Sequence, residues 1–159
     1  MPKPTPDQLV KINQFTQVPL EEDRVYVFKD MMIDDQETSY HSIIHENLLT
    51  KFMEDARKGV ALLTNHNNRQ LPVGRSFDAE LHIESTEDGR PVRSLYGHFY
   101  IDLGRNTQGG MTTDDIARGI DAGTIFDTSI GFSAKRWDCS ICDNDIRDYM
   151  KCPHTPGKK

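Results

Sequence analysis

The sequence predicts an α+β chain, and three patterns carry that expectation. Phe77, Ala79, Leu81 and Ile83 alternate with Asp78, Glu80, His82 and Glu84, and Leu95, Phe99, Ile101 and Leu103 share a face opposite Tyr96, His98, Tyr100 and Asp102, the period of half-buried strands. From Ser42 to Ala56 the apolar residues Ile43, Ile44, Leu48, Leu49, Phe52, Met53 and Ala56 recur at three- and four-residue spacing, the pattern of an amphipathic helix packed on a core, with Gly59 placed to end it. Val25-Tyr26-Val27-Phe28 is a β-branched and aromatic run of the kind strands favour.

The chain divides into residues 1–24, an N-terminal arm, 25–136, a main domain, and 137–159, a tail. Met1-Pro2-Lys3-Pro4-Thr5-Pro6 is Pro-rich and polar, so residues 1 to 8 are expected to be loosely attached, with a short helical stretch from Asp7. Val60-Ala61-Leu62-Leu63-Thr64 reads as a buried strand that delivers Asn65 and His66 to its end, where Asn67-Asn68-Arg69-Gln70 makes a polar loop. The two alternating strands join through Glu87-Asp88-Gly89. Thr112 or Thr113 can cap a helix from about Asp114 to Ala122, with Asp114 and Asp115 beside the positive end of its dipole and Gly123 to close it. A strand over Thr124 to Phe132 would place Phe126, Ile130 and Phe132 on one face and Asp127, Ser129 and Gly131 on the other.

With 159 residues the chain can bury one core. No apolar run approaches the ~20 residues of a membrane-spanning helix. A net charge of -6 disfavours phosphate-backbone binding as the main activity, although Lys135, Arg136, Arg147, Lys151, Lys158 and Lys159 crowd the tail. A secretory signal is not recognisable at the N-terminus, so a cytoplasmic location is expected.

A serine hydroxyl becomes a nucleophile when a base removes its proton, and histidine suits that task near neutral pH. Spacing alone permits such a pair without selecting it. Three blocks select it by resemblance. Leu62-Leu63-Thr64-Asn65-His66-Asn67 followed by Leu71-Pro72-Val73-Gly74-Arg75, then Gly119-Ile120-Asp121-Ala122-Gly123, then Thr128-Ser129-Ile130-Gly131-Phe132 resemble, in that order, the apolar strand ending in Asn-His, the Pro-x-Gly-Arg turn, the helix end and the Ser-Ile-Gly-Phe signature of the tailed-bacteriophage prohead protease family. The resemblance covers roughly Val60 to Phe132. It implies an assemblin-like small β-barrel flanked by helices, and a serine endopeptidase that cleaves scaffold and capsid proteins inside the assembling prohead in the host cytoplasm. Ser129 would be the nucleophile and His66 its base, with no cofactor in the chemistry. Protein substrates would be the partners, with no membrane and no nucleic acid required, and self-association is left open.

The group that would orient His66 is open among Asp102, Glu80 and Asp127, each also readable as a solvated carboxylate on a strand face. His154, downstream of Ser129 where assemblin-like enzymes place a second histidine, is a fourth candidate. Thr64, Ser133 and His98 read as structural, and His41 and His45 as a polar helix flank. Gly131 would let a substrate backbone approach closely.

Cys139-x2-Cys142, then Cys152-x-His154, offers three thiolates and an imidazole, a recognised tetrahedral set for structural Zn²⁺. The nine residues between the pairs are fewer than in usual zinc fingers, and free or redox-active thiols are the competing reading. So few apolar residues follow Phe132 that the tail needs a staple to fold, which favours the metal. The alternative function is a non-catalytic capsid-assembly protein that keeps the fold and uses a zinc-bound tail for interaction; a zinc-stabilised nucleic-acid-binding domain ranks third.

Overall fold

The computed structural model describes residues 1–125 and 128–158. Four strands, β1 (Val25–Asp34), β2 (Ala61–Leu62), β3 (Gly74–Ser85) and β4 (Pro91–Asp102), form one antiparallel sheet in the order β1-β4-β3-β2, curved as a half-barrel. Three helices accompany it: α1 (Pro6–Asn13), α2 (Glu46–Arg57) and α3 (Thr113–Asp121). The architecture is therefore α+β. No described helix is long and apolar enough to cross a membrane.

The two long alternating segments become the β3–β4 hairpin, turned by Gly89 at φ 79. Alternation assigns the faces of β4 correctly: Leu95, Phe99 and Ile101 lie on one side, with Phe28 stacked on Phe99 at 5.2 Å between ring centroids. It misassigns Phe77. A bulge between Ser76 and Asp78 adds one residue to β3, so Phe77 turns to the opposite face and packs with Ile12, Val25, Val27 and Tyr100. Ile83, near the hairpin tip, is exposed.

Both faces of the sheet are covered. α2 lays Leu49 and Ala56 against Ala79 and Leu95, while α3 lays Ile116 and Ala117 against Tyr26, Val73 and Ile101. α1 covers part of the other face through the fully buried Ile12. The expectation of a loose arm is thus corrected. Thr5 and Gln8 form a reciprocal capping box, Pro4 is buried, and Val27 donates its amide to the Pro2 carbonyl at 3.3 Å, so local capping and apolar burial together order the segment.

α2 begins four residues later than the apolar periodicity suggests. His45 is its N-cap, the ring accepting from the Asn47 amide at 3.3 Å, and His41 sits ahead of the helix at φ 56, so the two histidines do not share a helix stripe. At its far end Lys58 and Gly59 close the helix, Gly59 at φ 91. The buried Ser76 hydroxyl donates to the Ala56 carbonyl at 2.7 Å and accepts from the Val60 amide at 2.8 Å. One side chain thus ties the end of α2 and the entry of β2 to β3. α3 carries a capping box of Thr112 and Asp115, and Gly123 follows at φ 67.

Candidate functional site

His66 reaches its place through a short edge strand. The expected buried strand over residues 60–64 is only Ala61–Leu62, paired to Gly74 and Arg75 of β3 on one side; Val60 is exposed and Leu63 half-buried. A 3-10 turn follows over Thr64–His66, and both Asn65 (φ 53) and His66 (φ 52) adopt the left-handed conformation. Non-glycine residues rarely do so, and such positions gather at functional sites. Thr64 holds the turn by donating to Gln70 Oε1 at 3.4 Å.

The segment carrying Ser129 arrives from the end of α3. Phe126 and Asp127, which the strand expectation assigned to opposite faces, lie outside the described residues. Residues 128–132 form no strand; the segment is pinned by side chains instead of a backbone ladder. Thr128 donates its hydroxyl to the Met31 carbonyl on β1 at 2.6 Å, and the ring of Phe132 packs on Phe52 of α2 at 5.1 Å between centroids. Ser129 is exposed between those two anchors. Gly131 lies against His66: a β-carbon at Gly131 would stand 3.5 Å from His66 Nδ1. The fold therefore brings together two segments whose members of the expected pair, His66 and Ser129, stand sixty-three positions apart in sequence. Both side chains are solvent-facing and not hydrogen-bonded to one another.

Two of the carboxylates read as orienting groups, Asp102 and Glu80, are otherwise engaged. Asp102 accepts from Arg24 at 2.7 Å. Glu80 is held by Lys29, with His82 Nε2 at 3.1 Å and His98 Nε2 at 3.4 Å; the Lys29 hydrogen bond, helped by the two imidazoles, draws its carboxyl down to about 2. His98, read as structural, is one member of that strand-face cluster. His154 belongs to the tail. Asp127 lies outside the described residues. Among the described residues, the histidines that pair with carboxylates are His41, His82 and His98, and none of these carboxylates reaches His66.

The tail folds around its cysteines. Cys139, Cys142, Cys152 and His154 place their ligand atoms all within 4.8 Å of one another. His154 Nδ1 stands 3.5 Å from Cys139 Sγ and 3.8 Å from Cys152 Sγ. Metal–ligand bonds of about 2.3 Å to sulfur and about 2.05 Å to nitrogen give a sulfur–nitrogen edge of about 3.6 Å across a tetrahedron, so the observed spacings fit a single ion. Cys139 and Cys152 are buried, Cys142 and His154 half-buried. Backbone N–H groups of Ile141 and Cys142 point at the Cys139 sulfur and bring its thiol down to about 7, the thiolate a metal requires. Burial pushes Cys152 up to about 11. The set can hold a metal ion such as zinc.

Spacing did not reveal what frames this cluster. Asp138 bridges to Asp145 in a two-residue β-contact, Asp143 turns the chain at φ 56, and Cys139 donates its amide to the Asn144 carbonyl at 2.9 Å. Arg147 donates to the Ala134 and Lys135 carbonyls at 3.2 and 2.6 Å while paired with Asp145, and so joins the knuckle to the end of the Ser129 segment. The basic residue read as part of a charge crowd is a structural clamp. No family model, curated protein or solved structure matches the chain.

Proposed function

We propose that the chain is a serine endopeptidase of the prohead-maturation type, assemblin-like in fold, with Ser129 as nucleophile and His66 as base. The approach of His66 to Gly131, two residues from Ser129, carries this reading. His66 accepts the Ser129 hydroxyl proton as Oγ attacks a peptide carbonyl, then returns the proton to the departing amine as the C–N bond breaks. A water, deprotonated by the same imidazole, releases the acyl group and regenerates the hydroxyl. Scaffold and capsid proteins inside the prohead are the substrates. Gly131, without a side chain, leaves room for a substrate backbone beside the imidazole.

Zn²⁺ held by Cys139, Cys142, Cys152 and His154 would supply cross-linking rather than catalysis, since four protein ligands would leave it no open position. The experiment is co-expression of the chain with its cognate scaffold. Ser129→Ala and His66→Ala are each expected to abolish scaffold cleavage, and the double variant to be no slower than either, because the pair acts as a unit. Undiminished cleavage by Ser129→Ala overturns the assignment and leaves the second reading, a capsid-assembly protein acting by binding. That reading is favoured by one observation: among the described residues, no carboxylate orients His66.

A further inference from the structure

A cleft of about 300 Å³ opens where β3 begins and β4 ends, walled by Leu20, Pro72 and Val73 and floored by Arg75, Tyr100 and Arg105. We propose that it binds the free C-terminal carboxylate of a peptide whose last residue is apolar. The chemistry of the lining points to an anion. Asp102, the acidic group in the wall, is already engaged by Arg24 at 2.7 Å. Arg75 gives one nitrogen to the Gly59 carbonyl at 2.6 Å and keeps the rest of its guanidinium donors, and Arg105 has no side-chain partner among the described residues. Two guanidinium groups without a counter-ion thus share a cleft in a chain of net charge -6. Guanidinium forks match carboxylates in shape as well as charge.

Tyr100 is the second, independent sign. It is only 8% exposed, lies directly opposite Arg75 across the β3–β4 ladder, and its hydroxyl has no partner among the described residues. A buried phenol normally finds a hydrogen-bond partner. Its hydroxyl is not sealed from solvent, since the described residues include no sealed and unpaired side-chain oxygen, and Tyr100 lines the cleft. A ligand oxygen would complete it. Gly74 permits this arrangement, because any β-carbon there would run into the Tyr100 carbonyl and force apart the strands that hold Arg75 beside Tyr100.

The apolar wall decides which carboxylate. Leu20, Pro72, Val73 and the exposed Leu71 present hydrocarbon around the same volume as the guanidinium groups. A C-terminal apolar residue carries its carboxylate and its hydrocarbon on one carbon, and about 300 Å³ accommodates a residue of that size. A polyphosphate would meet hydrocarbon and an acidic chain instead. The inference does not rest on Ser129 or His66, although an endopeptidase would release such ends.

The test is calorimetric titration of the Ser129→Ala protein, which prevents turnover, with N-acetyl-alanyl-leucine, its C-terminal amide, and the amide of N-acetyl-alanyl-aspartyl-leucine. Saturable binding of the free acid alone is expected, weakened about tenfold or more by Arg105→Ala and by Tyr100→Phe, the cost of one charge-assisted hydrogen bond. Arg105 is exposed and has no side-chain hydrogen bond or ion pair among the described residues, and Tyr100→Phe removes one oxygen, so the two variants check each other. Equal binding of acid and amide, equal binding of the internal aspartate, unaltered affinity in both variants, or no saturable binding of the free acid would each overturn the proposal. Proteolysis is not read, so its failure and that of the Ser129 assignment are separable.

Discussion

Thr128 and Met31 are joined across ninety-seven positions by one hydrogen bond, 2.6 Å from hydroxyl to carbonyl, which fixes the start of the Ser129 segment against the edge of β1. In the proposed enzyme Thr128 is a positioning residue. Thr128→Val keeps the shape and removes the bond; it is exposed, so stability should change by no more than about 1 kcal/mol. Cleavage should fall about tenfold or more in kcat with little change in KM, because displacement of a nucleophile acts on the reacting geometry rather than on substrate affinity. Steady-state kinetics on a scaffold-derived peptide, alongside thermal unfolding, separates this from general loosening.

Purified without chelator, the protein should carry one zinc per chain, and Cys139→Ser should lose it. Zinc displaces protons from the thiols, with Cys139 at about 7 and Cys152 at about 11 when metal-free, so apparent affinity should rise steadily with pH across neutrality. Competition with a chromogenic chelator at several pH values measures this. Chelation should leave the β-sheet circular dichroism intact while amide exchange quickens after Trp137.

On the sheet face beyond α1, the Lys29 hydrogen bond holds Glu80 at about 2, below its ordinary 4.5. A depressed folded value means that the contribution is fully present above about pH 4.5 and is lost as pH falls towards 2. Glu80→Gln should therefore lower Tm modestly at pH 7, and the difference should vanish near pH 2. The side chains are 37% and 43% exposed, so salt should shrink the effect at neutral pH. Unfolding scans from pH 2 to pH 7 check both.

Ile12, fully buried among Val25, Val27, Phe77 and Tyr100, makes the N-terminal helix part of the core. Ile12→Ala should cost about 2–5 kcal/mol in urea unfolding, and a loosely attached arm would show almost none.

The parts of the fold legible in the sequence are those in which one pattern dominates. β4 reads correctly because Leu95, Phe99 and Ile101 keep strict alternation, and α3 because Thr112 and Asp115 make a cap that depends only on neighbours. Phe77 misreads because a bulge inverts the period midway through a strand, and bulges leave no compositional mark. The start of the chain misreads because proline and polar residues suggested looseness, whereas Thr5 and Gln8 cap a helix whose buried face turns on Ile12. In the tail, the cluster that could hold a metal was legible because cysteine and histidine types are themselves the signal, while Arg147 was not, because its targets are carbonyls that any residue carries. The Arg75–Tyr100–Arg105 cleft was invisible for a related reason: only strand register brings Arg75 opposite Tyr100.

The central claim is that Ser129 is a nucleophile activated by His66, and labelling with a fluorophosphonate tests it most directly. The reagent reacts with activated serine hydroxyls, and peptide mapping by mass spectrometry reports the site. The account predicts stoichiometric modification of Ser129 in the native protein, lost on unfolding and reduced by orders of magnitude in His66→Ala. No adduct on Ser129, or an adduct that forms equally well without His66, would contradict it.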